Sequence, residues 1–320
     1  MDHTKAILQH LDKLRMKSVS EKEVFKARAY VKAINGINDL GKPIQTVEDV
    51  NSVPGVGAKI KEKIKTIIET GHLTQTDTID TELQDAMADL MRVHGIGPAK
   101  AKDLVQNHGV KSTNDLLSGT GSATLTHAQA LGLKYLADFE KRIPRKEMER
   151  HERYFAEVLE EAGVDFKIVG SYRRGGLSSG DIDVLIRSAD AHLLDGVIKR
   201  MVKEKYIVDV MAQGAFKFMG VSRVKWGRTH RRLDILVTPD HEYPFAILYF
   251  TGDAEFNKKL RAWVLSERKM SLSEHGLKDQ NSREMIDTGA KNERQVFEYL
   301  GIEYVAPQDR SVRTPIVPRA

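Results

Sequence analysis

Asp181 and Asp183 are the residues of this chain whose types and spacing speak most directly of chemistry. They follow Gly170-Ser-Tyr-Arg-Arg-Gly175 and Ser178-Ser-Gly180, and they lead into the apolar run Val184-Leu-Ile186. Along a strand, residues i and i+2 point to the same face, so the two carboxylates can aim at one point. A third, Asp234, stands downstream in Arg231-Arg-Leu-Asp-Ile-Leu-Val237. Carboxylate oxygens suit Mg²⁺, usually beside substrate phosphates. Two such ions held about 4 Å apart activate an attacking oxygen and stabilise a leaving one. A lone Asp-x-Asp is more often a polar strand edge or turn. The apolar strand after this one and the third strand-borne aspartate argue for a metal-dependent nucleotidyl transfer site.

Other groups could serve the same chemistry. Ser171, Arg173 and Arg174 precede the carboxylates across a Gly-rich turn. A hydroxyl, backbone N–H groups and a guanidinium can hold a triphosphate. Tyr249-Phe-Thr-Gly252 places aromatics beside a glycine, which suits the wall of a sugar pocket or plain packing at a strand end. Val53-Pro-Gly-Val-Gly57 is echoed by Val93-His-Gly-Ile-Gly97, and each is flanked by helical pattern. Such Gly-apolar-Gly hairpins open a helix N-terminus toward phosphate, and Lys59 and Lys100 follow them. Lys59, Lys61, Lys63 and Lys65 crowd one helix. A lysine among cations can act as an amine nucleophile toward a sugar aldehyde, although a solvated basic face is the simpler reading of the residues alone. The histidines lack metal-ligand spacing, and Trp226 and Trp263 read as packing residues.

These groups need elements to position them. Ile7, Leu8, Leu11 and Leu14, then Val24, Ala27, Val31 and Ile34, recur at helical spacing. Thr46-Val-Glu-Asp49 resembles a capping box, Ala58 to Glu69 resumes the helical pattern, and Gly71 is a helix stop. Residues 79–140 predict a second helical unit. Pro144 disfavours helix at Ile143 and marks a boundary, after which Met148 to Ala162 reads as an amphipathic helix. Strands are predicted at Phe166–Val169, Ile182–Ile186, Tyr206–Val210, Phe216–Val221 and Leu233–Val237, with helices at Leu193–Lys203 and Ala254–Glu267. Val312–Ala320, with two prolines, predicts a loose tail.

The 320 residues suit two or more compact units. Net charge is +5, spread over both halves, so it favours a polyanionic partner only weakly. The chain has no cysteine, which excludes disulfides and thiolate metal sites. No run approaches the roughly 18 apolar residues of a membrane span, and Met1-Asp-His-Thr-Lys5 lacks the pattern of a secretory signal.

Taken together, the motifs resemble the family X DNA polymerases. The likeness runs nearly end to end: Val53-Pro-Gly-Val-Gly-Ala-Lys-Ile60, Gly95-Ile-Gly-Pro98, Leu133-Lys-Tyr135, Asp138-Phe-Glu-Lys-Arg-Ile-Pro-Arg145, Gly170-Ser-Tyr-Arg-Arg-Gly175, Ser178-Ser-Gly-Asp-Ile-Asp183, Lys217-Phe-Met-Gly-Val221, Arg231-Arg-Leu-Asp234, and Tyr249-Phe-Thr-Gly252 with Phe256-Asn-Lys258. The resemblance implies a multidomain α and α+β fold. Residues 1–78 would be a helical lyase domain with a helix-hairpin-helix, and 79–147 a helical DNA-binding subdomain with the second hairpin. Residues 148–242 would be a nucleotidyltransferase-type palm, and 243–320 a nucleotide-selection subdomain with the tail. No further N-terminal interaction domain is expected.

By the same resemblance, Asp181 and Asp183 hold two Mg²⁺ ions, with Mn²⁺ as a substitute, and Asp234 completes the catalytic metal site beside the primer 3′-hydroxyl. Ser171, Arg174, Gly180 and Arg145 match triphosphate contacts. Tyr249, Phe250 and Gly252 match the segment against the deoxyribose, Asn257 a contact to the incoming base, and Arg261 one to the template. Lys63 matches the Schiff-base lysine of a 5′-deoxyribose-phosphate lyase, with Lys26, Tyr30, Lys32 and Lys59 in its pocket. Backbone carbonyls at Asn51, Val53 and Val56, and at Met91, Val93 and Ile96, match sites for Na⁺ or K⁺ against DNA. The implied activity is filling of short gaps in base excision repair, on gapped or nicked double-stranded DNA with dNTPs. A monomer in the nucleus or another DNA-containing compartment is expected. Phe25 replaces a histidine, Asn51 and Gln75 replace lysines, and Asp253-Ala254 replaces Ser-Asp. These changes bear on lyase strength and nucleotide selection. A template-independent nucleotidyl transferase and a non-catalytic DNA-end-binding module remain the alternatives.

Overall fold

The computed structural model describes residues 2–21, 23–76, 81–161 and 163–319. The boundary drawn at 78/79 from sequence, and the helix end drawn at Ala162, lie outside the described residues. The chain divides into two compact units, Met1–Lys134 and Tyr135–Ala320.

In the first unit, helices Thr4–Ser20, Val24–Asn38 and Ala58–Thr70 share one core. Ile7, Leu11 and Leu14 meet Ala33 and Ile37 and the Ile60, Ile64, Ile67 stripe, both outer sets following i, i+4, i+7. The capping box forms at Thr46 and Asp49, on a 3-10 turn rather than an α-helix. Gly71 ends its helix in the left-handed conformation (φ 70°), its N–H donating to Ile67 O at 2.8 Å. Helices Thr81–Leu90, Pro98–His108, Thr113–Leu117 and His127–Lys134 follow. They pack in the same unit: Gln84 Nε2 donates to Lys13 O at 2.9 Å, and Lys102 Nζ to Ser20 O at 2.8 Å.

The hairpin echo is structural. Val53 N donates to Val50 O and Val56 N to Val53 O; forty residues later Val93 N donates to Leu90 O and Ile96 N to Val93 O. Gly55 (φ 92°) and Gly95 (φ 86°) both need the left-handed region that glycine enters without steric cost. Gly57 and Gly97 then start the helices in extended conformation.

The second unit is built on a five-stranded sheet in the order Asp165–Ile168, Ile182–Arg187, Arg231–Thr238, Lys217–Ser222, Ile207–Gln213. All five predicted strands are present, and Leu193–Lys203 is a helix as expected. The Ile182–Arg187 and Arg231–Thr238 strands run parallel, and the other pairs are antiparallel. Alternation separates the two faces. Ile182, Val184 and Ile186, with Leu233, Ile235 and Val237, pack under helices Arg145–Glu160 and Leu193–Lys203. Leu185 and Leu236 turn the other way, toward Ala246 and Ile247 of helix Tyr243–Thr251. That second face carries the aspartates.

Helix Arg145–Glu160 begins three residues before its expected start, because Pro144 adopts an extended conformation (ψ 149°) and caps it. Helix Ala254–Arg268, the small antiparallel sheet of Met270–Ser273, Gly276–Asp279 and Met285–Ile286, and helix Glu293–Leu300 enclose a separate core around Phe256, Leu260, Phe297 and Leu300. Two expectations are corrected. Through Arg319 the tail is pinned: Ile302 bridges Pro318, Glu303 N donates to Val317 O, Arg319 N donates to Gly301 O, and Ile316 packs on that core. A proline removes only its own donor, and the ladder takes its donors from other residues. Trp263 packs on the same core, but Trp226 does not pack: it is 88% exposed.

Candidate active site

Asp181 immediately precedes the Ile182–Arg187 strand, and Asp183 is the register partner of Asp234 in the parallel pairing. Each of the three aspartates offers an oxygen within 4.8 Å of the others, and all are half-buried. Burial first, then the charge of Asp234, push Asp183 up to about 6, while Arg174 pulls it down. The Asp181 carboxylate is paired with Arg232, whose Nε also lies 3.9 Å from Asp234 Oδ2. Gly170 (φ 59°) borders the cluster, and a Cβ there would stand 2.6 Å from Asp183 Oδ2. Three hard oxygen donors crowded until one resists ionising, with the adjacent backbone stripped of its Cβ, suit a hard divalent cation. Sequence reasoning found the carboxylates but missed Arg232, although it stands two residues before Asp234 and therefore on the same strand face.

Ser171 and Arg173 lie on the short helix Gly170–Arg173, and Arg174 caps it. Ser171 Oγ donates to Ser179 Oγ at 3.1 Å. Arg174 Nη1 donates to the Thr251 carbonyl, and a Cβ at Gly252 (φ 71°) would come within 2.9 Å of that nitrogen. The glycine thus lets the guanidinium approach, and Arg174 and Gly252 are brought together. Gly180 lies beside Arg142, which donates to Ser178 Oγ and O at 3.1 and 2.6 Å. Arg145 braces the loop from behind, donating to the carbonyls of Tyr172 and Gly176 at 3.2 and 3.3 Å and lying 4.5 Å over the Tyr172 ring.

Tyr249 and Phe250 form the last turn of helix Tyr243–Thr251, their rings edge to face at 5.1 Å. Asn257 Nδ2 donates to Tyr249 O at 2.7 Å, and the Arg261 guanidinium lies 5.9 Å from the Tyr249 ring centre. Asp253, noted from sequence only as a departure, caps the next helix by accepting from Glu255 N and Phe256 N at 2.9 and 3.1 Å. Arg173 donates to Thr251 Oγ1 at 2.6 Å and to both Glu293 oxygens at 3.1 Å, and the buried Arg310 donates to Glu293 at 2.8 Å. Burial would raise Glu293, but Arg310 and Arg173 outweigh it and hold it low. This bridge spans 120 residues of sequence, which no local pattern reveals.

In the first unit, Lys26 and Tyr30 lie one turn apart on Val24–Asn38, and Lys59 and Lys63 one turn apart on Ala58–Thr70. Lys63 Nζ donates to Gln75 Oε1 at 2.6 Å. Hydrogen bonding to Glu23 at 2.5 Å raises Lys26. Tyr30 packs against the core and is raised by burial, with Lys26 opposing. Lys32, Lys59 and Phe25 are exposed. Asn51, Val53 and Val56 lie on the first hairpin turn; Met91, Val93 and Ile96 lie on the second.

Comparison with known proteins follows the same order along the chain. Family models match a helix-hairpin-helix domain over residues 2–73, the fingers domain of DNA polymerase lambda over 88–140, the DNA polymerase beta palm over 142–240 and the DNA polymerase beta thumb over 246–311. DNA polymerase lambda of Rattus norvegicus is 34% identical over 307 residues, covering 89% of this chain and 52% of the relative. DNA polymerase lambda of Arabidopsis thaliana is 30% identical over 310 residues, covering 89% and 58%. The chain thus spans somewhat more than half the length of these relatives. With four matches in this order and a carboxylate cluster seated in the segment matched by the palm, the chain is similar to the family X DNA polymerases along most of its length.

Proposed function

We propose that this chain is a DNA-directed DNA polymerase that fills short gaps in base excision repair and carries 5′-deoxyribose-phosphate lyase activity. The observation that carries the reading is the convergence of Asp181, Asp183 and Asp234 on one face of a sheet matched by the polymerase palm. Asp181 and Asp183 would hold two Mg²⁺ ions, or Mn²⁺, and Asp234 would complete the site at the primer 3′-hydroxyl. Divalent ions bound there supply charge neutralisation for the attacking and leaving oxygens. Arg174 and Ser171 would contact the triphosphate, with the Gly180 backbone alongside, and Arg145 holds their loop. Tyr249, Phe250 and Gly252 would face the sugar of the incoming dNTP, Asn257 its base, and Arg261 the template.

Lys63 would attack the C1′ aldehyde through Nζ, losing water to form the Schiff base, with Lys26, Tyr30, Lys32 and Lys59 holding the 5′-phosphate. The carbonyls of Asn51, Val53 and Val56, and of Met91, Val93 and Ile96, would hold Na⁺ or K⁺ against the DNA backbone. We further propose that residues 1–78, 79–147, 148–242 and 243–320 act as lyase, DNA-binding, palm and nucleotide-selection segments of a monomer. A nuclear location, or one in another DNA-containing compartment, fits that substrate. The decisive experiment is a one-nucleotide gap bearing a 5′-deoxyribose phosphate. The expected result is Mg²⁺-dependent insertion of the templated dNTP and release of the sugar phosphate. Extension of a single-stranded primer without template would favour the template-independent transferase, and tight DNA binding with neither product would favour the end-binding module.

A further inference from the structure

Residues 210–233 contain six lysines and arginines and no aspartate or glutamate. Arg231 and Arg232 of this stretch are paired with Glu147 and Asp181, whereas Lys217, Arg223, Lys225 and Arg228 are exposed. Three of those four lie in the connection 223–230 between the Lys217–Ser222 and Arg231–Thr238 strands. Among the described residues, none of Arg223, Lys225 and Arg228 forms a side-chain ion pair. At the tip stands Trp226, 88% exposed and at φ 66°. The left-handed region is unfavourable for a bulky residue, and burial gives nothing back at this position. A tryptophan held there without packing is a candidate for a binding role.

The loop is not slack. Arg223 N donates to Tyr206 O at 2.9 Å, and Val224 is buried in the palm core. Lys225 O accepts from Arg150 Nη2 at 2.5 Å, Gly227 N donates to Val224 O at 2.8 Å, and Asp138 Oδ2 holds both His230 N and Nδ1, at 3.0 and 2.8 Å. Fixed feet on either side therefore hold the backbone that carries the ring. Lys225 Nζ lies 5.7 Å from that ring's centre, so a cation accompanies the aromatic face. The loop also leaves the sheet at the end where Arg232 meets Asp181, next to the carboxylates.

We infer that the 223–230 loop is a binding site for unpaired nucleic acid, with Trp226 stacking on a base while Arg223, Lys225 and Arg228 neutralise phosphates. An open aromatic face with one cation beside it and two more on the same loop fits a single strand, because a duplex keeps its base faces stacked away. The contact needs no metal and no catalysis, so it stands or falls separately from the polymerase reading.

The chain has two tryptophans, so Trp263→Phe leaves Trp226 as the sole indole reporter. In EDTA, a twelve-residue oligothymidylate should quench that emission saturably, and a blunt duplex of equal length should quench it less. Trp226→Ala should weaken single-strand binding by about tenfold, within the range of one base stack, while Trp226→Phe retains most of it. Replacing Arg223, Lys225 and Arg228 with serine should flatten the salt dependence by about two units on a double-logarithmic plot. Trp226→Gly, which relieves the backbone, should bind as weakly as Trp226→Ala yet melt no lower than wild type, which separates a lost contact from a damaged fold. Full-strength binding by Trp226→Ala, or unchanged Trp226 emission at saturation judged by anisotropy of a labelled strand, would overturn the assignment. So would DNA-free self-association that Trp226→Ala abolishes, which would give the loop to a second copy of the chain.

Discussion

Asp183 and Asp234 stand opposite each other on adjacent parallel strands, and the charge of Asp234 adds to burial in making Asp183 harder to ionise. Replacing Asp183 with Asn therefore acts in two directions. Nucleotide incorporation should fall by about 10²- to 10³-fold, because removing one preorganised charge costs roughly 3–4 kcal/mol in the transition state. The metal-free protein should melt slightly higher. The native carboxyl titrates at about 6, above its ordinary value of 3.8. Its contribution to stability is thus fully present below pH 3.8 and lost as pH rises through 6. The gain from Asp183→Asn should appear at pH 7 and vanish near pH 4, as read by melting in EDTA.

Gly170 sets the opposite condition, since its missing Cβ is what leaves room beside Asp183. Gly170→Ala adds left-handed strain and a contact at 2.6 Å. A loss of about 1–3 kcal/mol in stability is expected, together with a fall of about 10²-fold in incorporation from displacement of the carboxylate. Denaturant unfolding and single-turnover kinetics read the two separately.

Glu293 joins Arg173 to Arg310, and both it and Arg310 are buried. Glu293→Gln leaves the guanidinium of Arg310 without its counter-charge and should destabilise by about 3–5 kcal/mol. Because Arg173 also holds Thr251, the Km for dNTP should rise as well. Unfolding together with steady-state kinetics tests this, and an unchanged Km would confine the bridge to stability.

Glu147 receives two hydrogen bonds of 2.8 Å from Arg231, the residue before Arg232. Burial would raise its pKa, but His151 and Arg231 bring it down to about 2. His151 Nε2 lies 3.8 Å away, beyond hydrogen-bond reach, so the guanidinium is the main partner. Asp138, held by His230 and Lys141 against its own burial, is also lowered to about 2. Depressed carboxylates contribute stability above their unfolded values and lose it as pH falls through the folded ones. Stability should therefore decline between about pH 4.5 and 2, and the deficit of Glu147→Gln, large at pH 7, should shrink over that window in equilibrium unfolding.

Lys63→Ala should remove most of the adduct trapped by borohydride on an incised abasic site, leaving gap filling within about twofold. Gln75→Ala removes the acceptor at 2.6 Å from Nζ and should alter the rate of trapping without abolishing it. A persistent adduct in Lys63→Ala would move the nucleophile to another lysine of the same helix.

Much of this was legible from sequence where the cause is local. Period-two alternation located the five strands, and Gly71, Pro144 and the two Gly-apolar-Gly turns mark changes of backbone conformation that few other residues allow. Asp181, Asp183 and Asp234 could be grouped because parity fixes which face a strand residue takes. What stayed hidden depends on distant partners. Glu293 means nothing until Arg173 and Arg310 are brought to it. The small sheet of 270–286 has strands of four residues or fewer, too short for a period to register. Trp226 misled because size and apolarity predict burial, while its left-handed turn faces the ring outward.

The parallel pairing that joins Asp183 to Asp234 has a consequence for the order of events in folding. Parallel neighbours cannot be closed by a tight hairpin, and here the intervening chain contributes two other strands and a helix before it returns. The carboxylates converge only after that long excursion has closed, late in a slow, non-local assembly. A refolding population should therefore regain divalent-ion binding in step with its last tertiary contacts, and half-folded molecules should have none.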